Sequence, residues 1–140
     1  MTARRWQALL AGVWAGILLA IALIATPAPF ATLPSADAGR VVGRIFAQEA
    51  YVSIVFALLI FFIERRRSGD GGPAFTTDVG LALGTLFCTV AGYFAIQPML
   101  EAARAGHGPW SFGALHAASV GFFALKGLLV LALAWRLAPR

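Results

Sequence analysis

Eight side chains in this sequence could do chemistry together: Arg40, Arg44, Glu49, Tyr93, Gln97, Glu101, His116 and Ser119. A carboxylate or an imidazole can hold a proton or a cation, and a guanidinium can hold an anion. Arg40 and Arg44 are four apart and share one helical face. Glu49 lies five beyond Arg44, about 140° around a helix, so it cannot pair with that arginine along the helix. Ser53, four further on, shares its face. Both charges therefore need partners on other helices. Tyr93, Gln97, Glu101 and Arg104 share a second face at spacings of four, four and three. His116 and Ser119 are neighbours three apart. No catalytic pattern accompanies them: there is no acid dyad at helical spacing, no HExxH, no nucleophile elbow and no glycine-rich phosphate loop. An enzyme is not the expected class.

The elements that must position these residues follow from composition. Of 140 residues, 60% are hydrophobic and only 12% are charged. A soluble domain carries about 25% charged residues, so an ordinary soluble enzyme and a disordered tail are both excluded. Four apolar stretches are long enough to cross a bilayer, at about 6–25, 36–63, 77–100 and 111–136. Backbone polar groups in lipid must be satisfied within each segment, so the stretches are helices. The expected fold is an all-α membrane protein, a compact antiparallel bundle of four transmembrane helices forming a single domain over 1–140.

The arginines set an orientation. Arg4, Arg5, Arg65, Arg66, Arg67, Arg136 and Arg140 put seven basic residues on one side of the four spans. The positive-inside rule then places both termini and the 64–77 loop in the cytoplasm. Trp6 and Trp135 fall at the inner interface and Trp110 at the outer one. The net charge of +5 marks topology in this pattern, and nucleic acid is not an expected partner.

Local signals refine the spans. Thr26–Pro34 carries Pro27, Pro29 and Pro34 and is not expected to be regular helix. Ser35 and Ser111 are candidate N-caps for the second and fourth helices. Small residues recur every four positions: Ala8, Gly12, Gly16 and Ala20 in the first helix, and Gly39, Gly43 and Ala47 in the second. Gly80, Gly84, Cys88 and Gly92 continue the pattern in the third, and Gly113, Ala117 and Gly121 in the fourth. Such stripes let helix backbones approach closely. They are expected to pack within the bundle rather than at a dimer seam, with Cys88 a small packing residue. No internal repeat is evident.

In this orientation the polar side chains gather towards the outer leaflet. The inner half is expected to hold little beyond its boundary arginines and Lys126. An ionised group inside a bilayer costs roughly 2.5–3.5 kcal/mol on insertion scales unless paired or hydrated. Arg44, Glu49 and His116 are thus either a structural network or a site. Arg40, Glu101 and Arg104 are expected to snorkel or pair at the interface, and Gln97 to bond a neighbouring helix. His107 is placed in a loop, uninvolved. Pro98 leaves the Phe94 carbonyl without its helical donor. Lys126 is expected to snorkel or to make an interhelical contact.

Three segments together carry a family likeness. Ala38-Gly39-Arg40-Val41-Val42-Gly43-Arg44-Ile45-Phe46 follows the proline-rich exit of the first helix, Phe94-Ala95-Ile96-Gln97-Pro98-Met99 ends the third, and Leu115-His116-Ala117-Ala118-Ser119 opens the fourth. The chain resembles the transmembrane protein 205-like family over about 7–135. That resemblance implies a small four-helix protein of the bacterial inner membrane, with no established reaction. Members carry an Asn four residues after that Ser, where this chain has Phe123.

The expected function is binding or passage of a small solute or ion at the outer-leaflet polar cluster. The alternative is a structural or assembly protein that packs with a second copy or another membrane protein through the small-residue stripes. A haem- or metal-linked redox role is a third reading, with His116 the one candidate ligand. No cofactor is expected.

Overall fold

Four helices long and apolar enough to cross a bilayer make up the computed structural model: α1 (Ala3–Thr32), α2 (Ser35–Ser68), α3 (Thr77–Arg104) and α4 (Phe112–Leu137). The structure describes residues 2–69 and 71–139. Asp70 of the 64–77 loop and Arg140 of the basic side lie outside them. Among the described residues there is no strand.

Each helix turns one stripe inward, at spacings of three and four. In α1 the buried stripe is Gln7, Ala11, Trp14 and Leu18, and in α2 it is Glu49, Ser53, Ala57, Ile60 and Glu64. In α3 it is Asp78, Ala82, Thr85 and Thr89, and in α4 Lys126, Val130, Leu133 and Leu137. This period, close to the 3.6 residues of a helical turn, keeps one face of each helix towards its neighbours along the bundle. Tryptophan, isoleucine, leucine and valine fill the middle of the seam, and small alanines opposite them leave the room. Thr85 and Thr89 stay inside at no cost, because their hydroxyls donate to carbonyls of their own helix at 2.6 and 3.0 Å.

The helices form a square. α1 and α3 each pack on both α2 and α4, so α1 faces α3 across one diagonal and α2 faces α4 across the other. The two hairpins also match in register. Gln7, Ala11, Trp14, Leu18 and Pro27 of α1 correspond at one constant offset to Asp78, Ala82, Thr85, Thr89 and Pro98 of α3. All but the prolines are buried. α2 and α4 correspond likewise, with Glu49 opposite Lys126 and Ile60 opposite Leu137. An internal repeat is therefore present in the packing, although residue identity does not betray it. The equivalent positions share burial and differ in side chain.

Both prolines bend their helices the same way. Proline has no N–H to give the carbonyl four residues before it, and the turn upstream widens to a π-helix. One π-turn spans Ile21–Ala25 ahead of Pro27, the other Val90–Ala95 ahead of Pro98. Both lie in the half of the bundle away from the termini.

Several local expectations need correction. The proline-rich segment is helical over Pro27–Thr32. Pro27 and Pro29 sit in its first turn, directly after the π-turn whose widened bonding accommodates the missing N–H of Pro27. Ser35 lies inside α2 and makes no cap bond, since Pro34 takes the cap position. Ser111 does cap α4, accepting from the Ala114 N–H at 3.1 Å.

The small-residue stripes do not all face inward. A Cβ at Gly12, Gly16, Gly43, Gly113 or Gly121 would meet nothing within 4 Å. Only the α3 stripe packs inside: Gly84 faces Leu129, Gly92 lies against the Phe122 Cβ, and Cys88 is buried. Close approach to α4 requires glycine at 92, where any side chain would collide with Phe122.

Candidate functional site

Glu49 sits near the middle of α2, where the helix lies deepest in the bundle. Its side chain is 3% exposed, and the Lys126 ammonium meets its Oε1 at 2.5 Å across the α2–α4 diagonal. Lys126 is equally buried. The Ser53 hydroxyl, one turn along α2, donates to the same carboxylate oxygen. Trp14 Nε1–H of α1 donates to Ser53 Oγ at 2.9 Å. Three helices thereby feed one carboxylate through a chain of hydrogen bonds. The Phe123 ring lies 5.2 Å from the ammonium and covers it from the α4 side. Two opposite charges in contact cost far less in a low-dielectric interior than either alone.

The chain has a direction. Indole nitrogen donates and cannot accept, so the hydrogen-bond path ends at Trp14. Beyond it, towards the termini, lies a dry layer of Ala11, Ala57, Ile60, Ala82, Val130 and Leu133. The pair is closed on that side. On the other side lie the two π-turns and only a small apolar cluster, Ile96, Leu100 and Leu115.

A second polar layer ties all four helices together at the end that holds the termini. Glu64 of α2 is completely buried. Arg67 Nε and Nη2 each donate to it at 2.9 Å, Gln7 Nε2 of α1 at 2.9 Å, and Thr76 Oγ1 at 3.0 Å. Asp78 of α3 accepts from Arg136 Nε of α4 at 2.8 Å. Arg4 closes the ring by donating to the Arg136 carbonyl at 2.6 Å. Gln7 Oε1 is buried and has no protein partner. The expectation that this half holds little polarity beyond boundary arginines and Lys126 is thus corrected: Gln7, Glu64 and Asp78 are buried within it. The signal was available as polar residues in register on three apolar stripes.

The structure separates the eight residues singled out from the sequence. Arg40 pairs with Asp37 on the surface of its own helix. Arg44, Glu101 and His116 are exposed. His116 stacks on Phe112 at 5.9 Å, and Arg104 lies over the same Phe112 ring at 4.9 Å. Tyr93 is half-buried against Phe94. Gln97 is half-buried, and among the described residues its side chain makes no bond to another helix, contrary to expectation. Ser119 bonds across to α3 at 2.9 Å, donating to the Gly92 carbonyl inside the π-turn. Glu49 alone of the eight reaches the centre. Lys126 turns inward as an interhelical contact instead of snorkelling. Among the described residues no three His, Cys, Asp or Glu side chains gather as metal ligands.

Fold and polar layers together define a small multi-pass membrane protein with one ion pair sealed inside a four-helix bundle and a second polar layer at its terminal end. A family model described as a domain of unknown function, DUF4149, matches residues 9–108, and the chain belongs to that family. The match includes Glu49, Glu64 and Asp78 and stops short of Lys126 and Arg136. No curated protein and no solved structure matches the chain.

Proposed function

We propose that this protein binds a small ion, the proton foremost, at Glu49 as a step in its passage across the bilayer. The observation that carries this reading is the Glu49–Lys126 pair itself, sealed at the crossing of the α2–α4 diagonal. When the Glu49 carboxylate takes up a proton from one side and the Lys126 ammonium gives one up to the other, one proton enters, one leaves and both groups end neutral, so the low-dielectric site holds no net charge before or after. Glu49 is packed too closely by Ser53 and Lys126 to admit a bulky solute. Access is from the half with the π-turns, where Tyr93, Gln97 and Ser119 are half-buried and Arg40, Arg44, Glu101 and His116 lie on the outer surface.

The same reading places both termini in the cytoplasm and the chain in a bacterial inner membrane, following the basic residues and the likeness to the transmembrane protein 205-like family. Proteoliposomes carrying a pH step, or a sodium or potassium gradient, test it. Wild type dissipates the gradient faster than protein-free liposomes, and Glu49→Gln returns the rate to the protein-free level. His116→Ala, on the outer surface of that half, leaves the rate at the wild-type level. Equal rates for wild type and Glu49→Gln would overturn the proposal.

One observation favours a second reading, an assembly protein. Gly12 and Gly16 of α1, and Gly113 and Gly121 of α4, leave open small-residue faces that suit close helix contact in lipid. A dimer or a co-purifying membrane partner in mild detergent, lost in Gly16→Leu, supports this reading. A monomer at all protein concentrations removes it.

A further inference from the structure

At the end of the bundle that holds the termini, a groove of about 300 Å³ opens between α1 and α2. Its walls are Ala3, Trp6 and Ile63, and its rim is Arg66 and Arg67. Trp6 is half exposed, as an interfacial tryptophan at headgroup depth would be. An apolar trough capped by guanidinium groups matches neither water nor a plain acyl chain. It matches a molecule with an acyl end and an anionic head.

The charge balance of this end agrees. Among the described residues, Arg4, Arg5, Arg65, Arg66, Arg67 and Arg136 face only two carboxylates, Glu64 and Asp78. Those two are already engaged by Arg67 and Arg136. Arg4 and Arg65 are occupied with main-chain carbonyls at 2.6 Å each. Arg66 is exposed, lines the groove and, among the described residues, makes no ion pair or side-chain hydrogen bond. Arg67 is fixed on Glu64 yet 36% exposed, so its position is preset without its charge being hidden. A bidentate guanidinium suits a phosphate diester.

We infer that this groove is a binding site for one acidic glycerophospholipid, whose phosphate sits on Arg66 and Arg67 and whose first acyl carbons lie against Trp6 and Ile63. The site is independent of the Glu49 centre and stands whether or not that centre carries ions.

Native mass spectrometry of the detergent-purified protein tests this directly. Dioctanoyl-phosphatidylglycerol, dioctanoyl-phosphatidylcholine and glycerol 3-phosphate are titrated separately. The phosphatidylglycerol adduct forms at the lowest concentration, and Arg66→Gln weakens it about fivefold, the effect of one arginine near an anionic lipid surface. Arg66 is exposed, so the variant keeps the wild-type melting temperature. Arg104→Gln, at the opposite end of the bundle, leaves the adduct unchanged. Equal retention of the two lipids would overturn the inference, as would glycerol 3-phosphate binding as tightly as phosphatidylglycerol. So would an Arg66→Gln adduct as strong as wild type, or equal loss in Arg104→Gln.

Discussion

The Lys126 ammonium lies 2.5 Å from Oε1 of Glu49, joining two helices that face each other across the diagonal of the square. The two residues hold equivalent places in the two hairpins. With the edge-on contact of Phe46 and Phe123 at 5.2 Å, the pair closes the square across its diagonal, at the depth where an unpaired charge is most costly.

Removing one member of this pair should be far worse than removing both. Glu49→Gln or Lys126→Met alone leaves a charge without its partner, at about 3–5 kcal/mol for a buried pair. The double variant restores neutrality and should recover most of that loss. Unfolding of the purified protein in mixed micelles by increasing SDS reads the difference. Additive losses would show that the two side chains do not interact.

Trp14→Phe keeps an aromatic ring beside Phe56 but removes the donor to Ser53 and part of a fully buried indole. The expected loss is about 1 kcal/mol for the hydrogen bond plus a cavity cost, still below the roughly 3–5 kcal/mol of Trp14→Ala. A loss as large as that of Trp14→Ala would mean that packing, and not the Nε1–H bond, explains the tryptophan.

Gly92→Ala forces a Cβ against Phe122 where α3 meets α4. Overpacking of this kind costs about 1–3 kcal/mol. Gly121→Ala meets nothing within 4 Å and should leave the melting temperature at or above wild type. A matching fall in both variants would contradict the inward face assigned to α3.

Glu64→Ala strands Arg67, Gln7 and Thr76 together. Arg67 is 36% exposed and can turn to water, so the loss is that of hydrogen bonds to one buried carboxylate, about 1–3 kcal/mol, and limited proteolysis should then cut the 69–76 loop sooner. Unchanged protease resistance would show that the layer at the terminal end does not hold the helices together.

How much of this was legible follows from what each signal measures. Hydropathy and length set the four spans, because the bilayer imposes both on any chain that crosses it. Glu49 stood out because a charge well inside a span must have a partner. Its partner did not, since Lys126 in an apolar run reads equally as snorkelling or as pairing. Only the inward stripe of α4 decides between them. Arg44 and His116 looked comparable to Glu49 by depth, yet their faces turn outward. Depth along a helix is readable from residue count, but rotation about its axis is set by the neighbours. The small-residue stripes failed for the same reason: spacing fixes a face, and packing decides whether that face looks in or out. Gln7 and Asp78 were passed over near the span ends, although they fall in register with the buried stripes of α1 and α3.

Infrared difference spectroscopy across a pH step, on the protein reconstituted in lipid, tests the Glu49 centre most directly. A carboxyl band that appears on acidification in wild type and is missing from Glu49→Gln is the predicted result, with the band shifted in Lys126→Met. Superimposable spectra of wild type and Glu49→Gln would contradict the assignment of Glu49 as the ion-binding group.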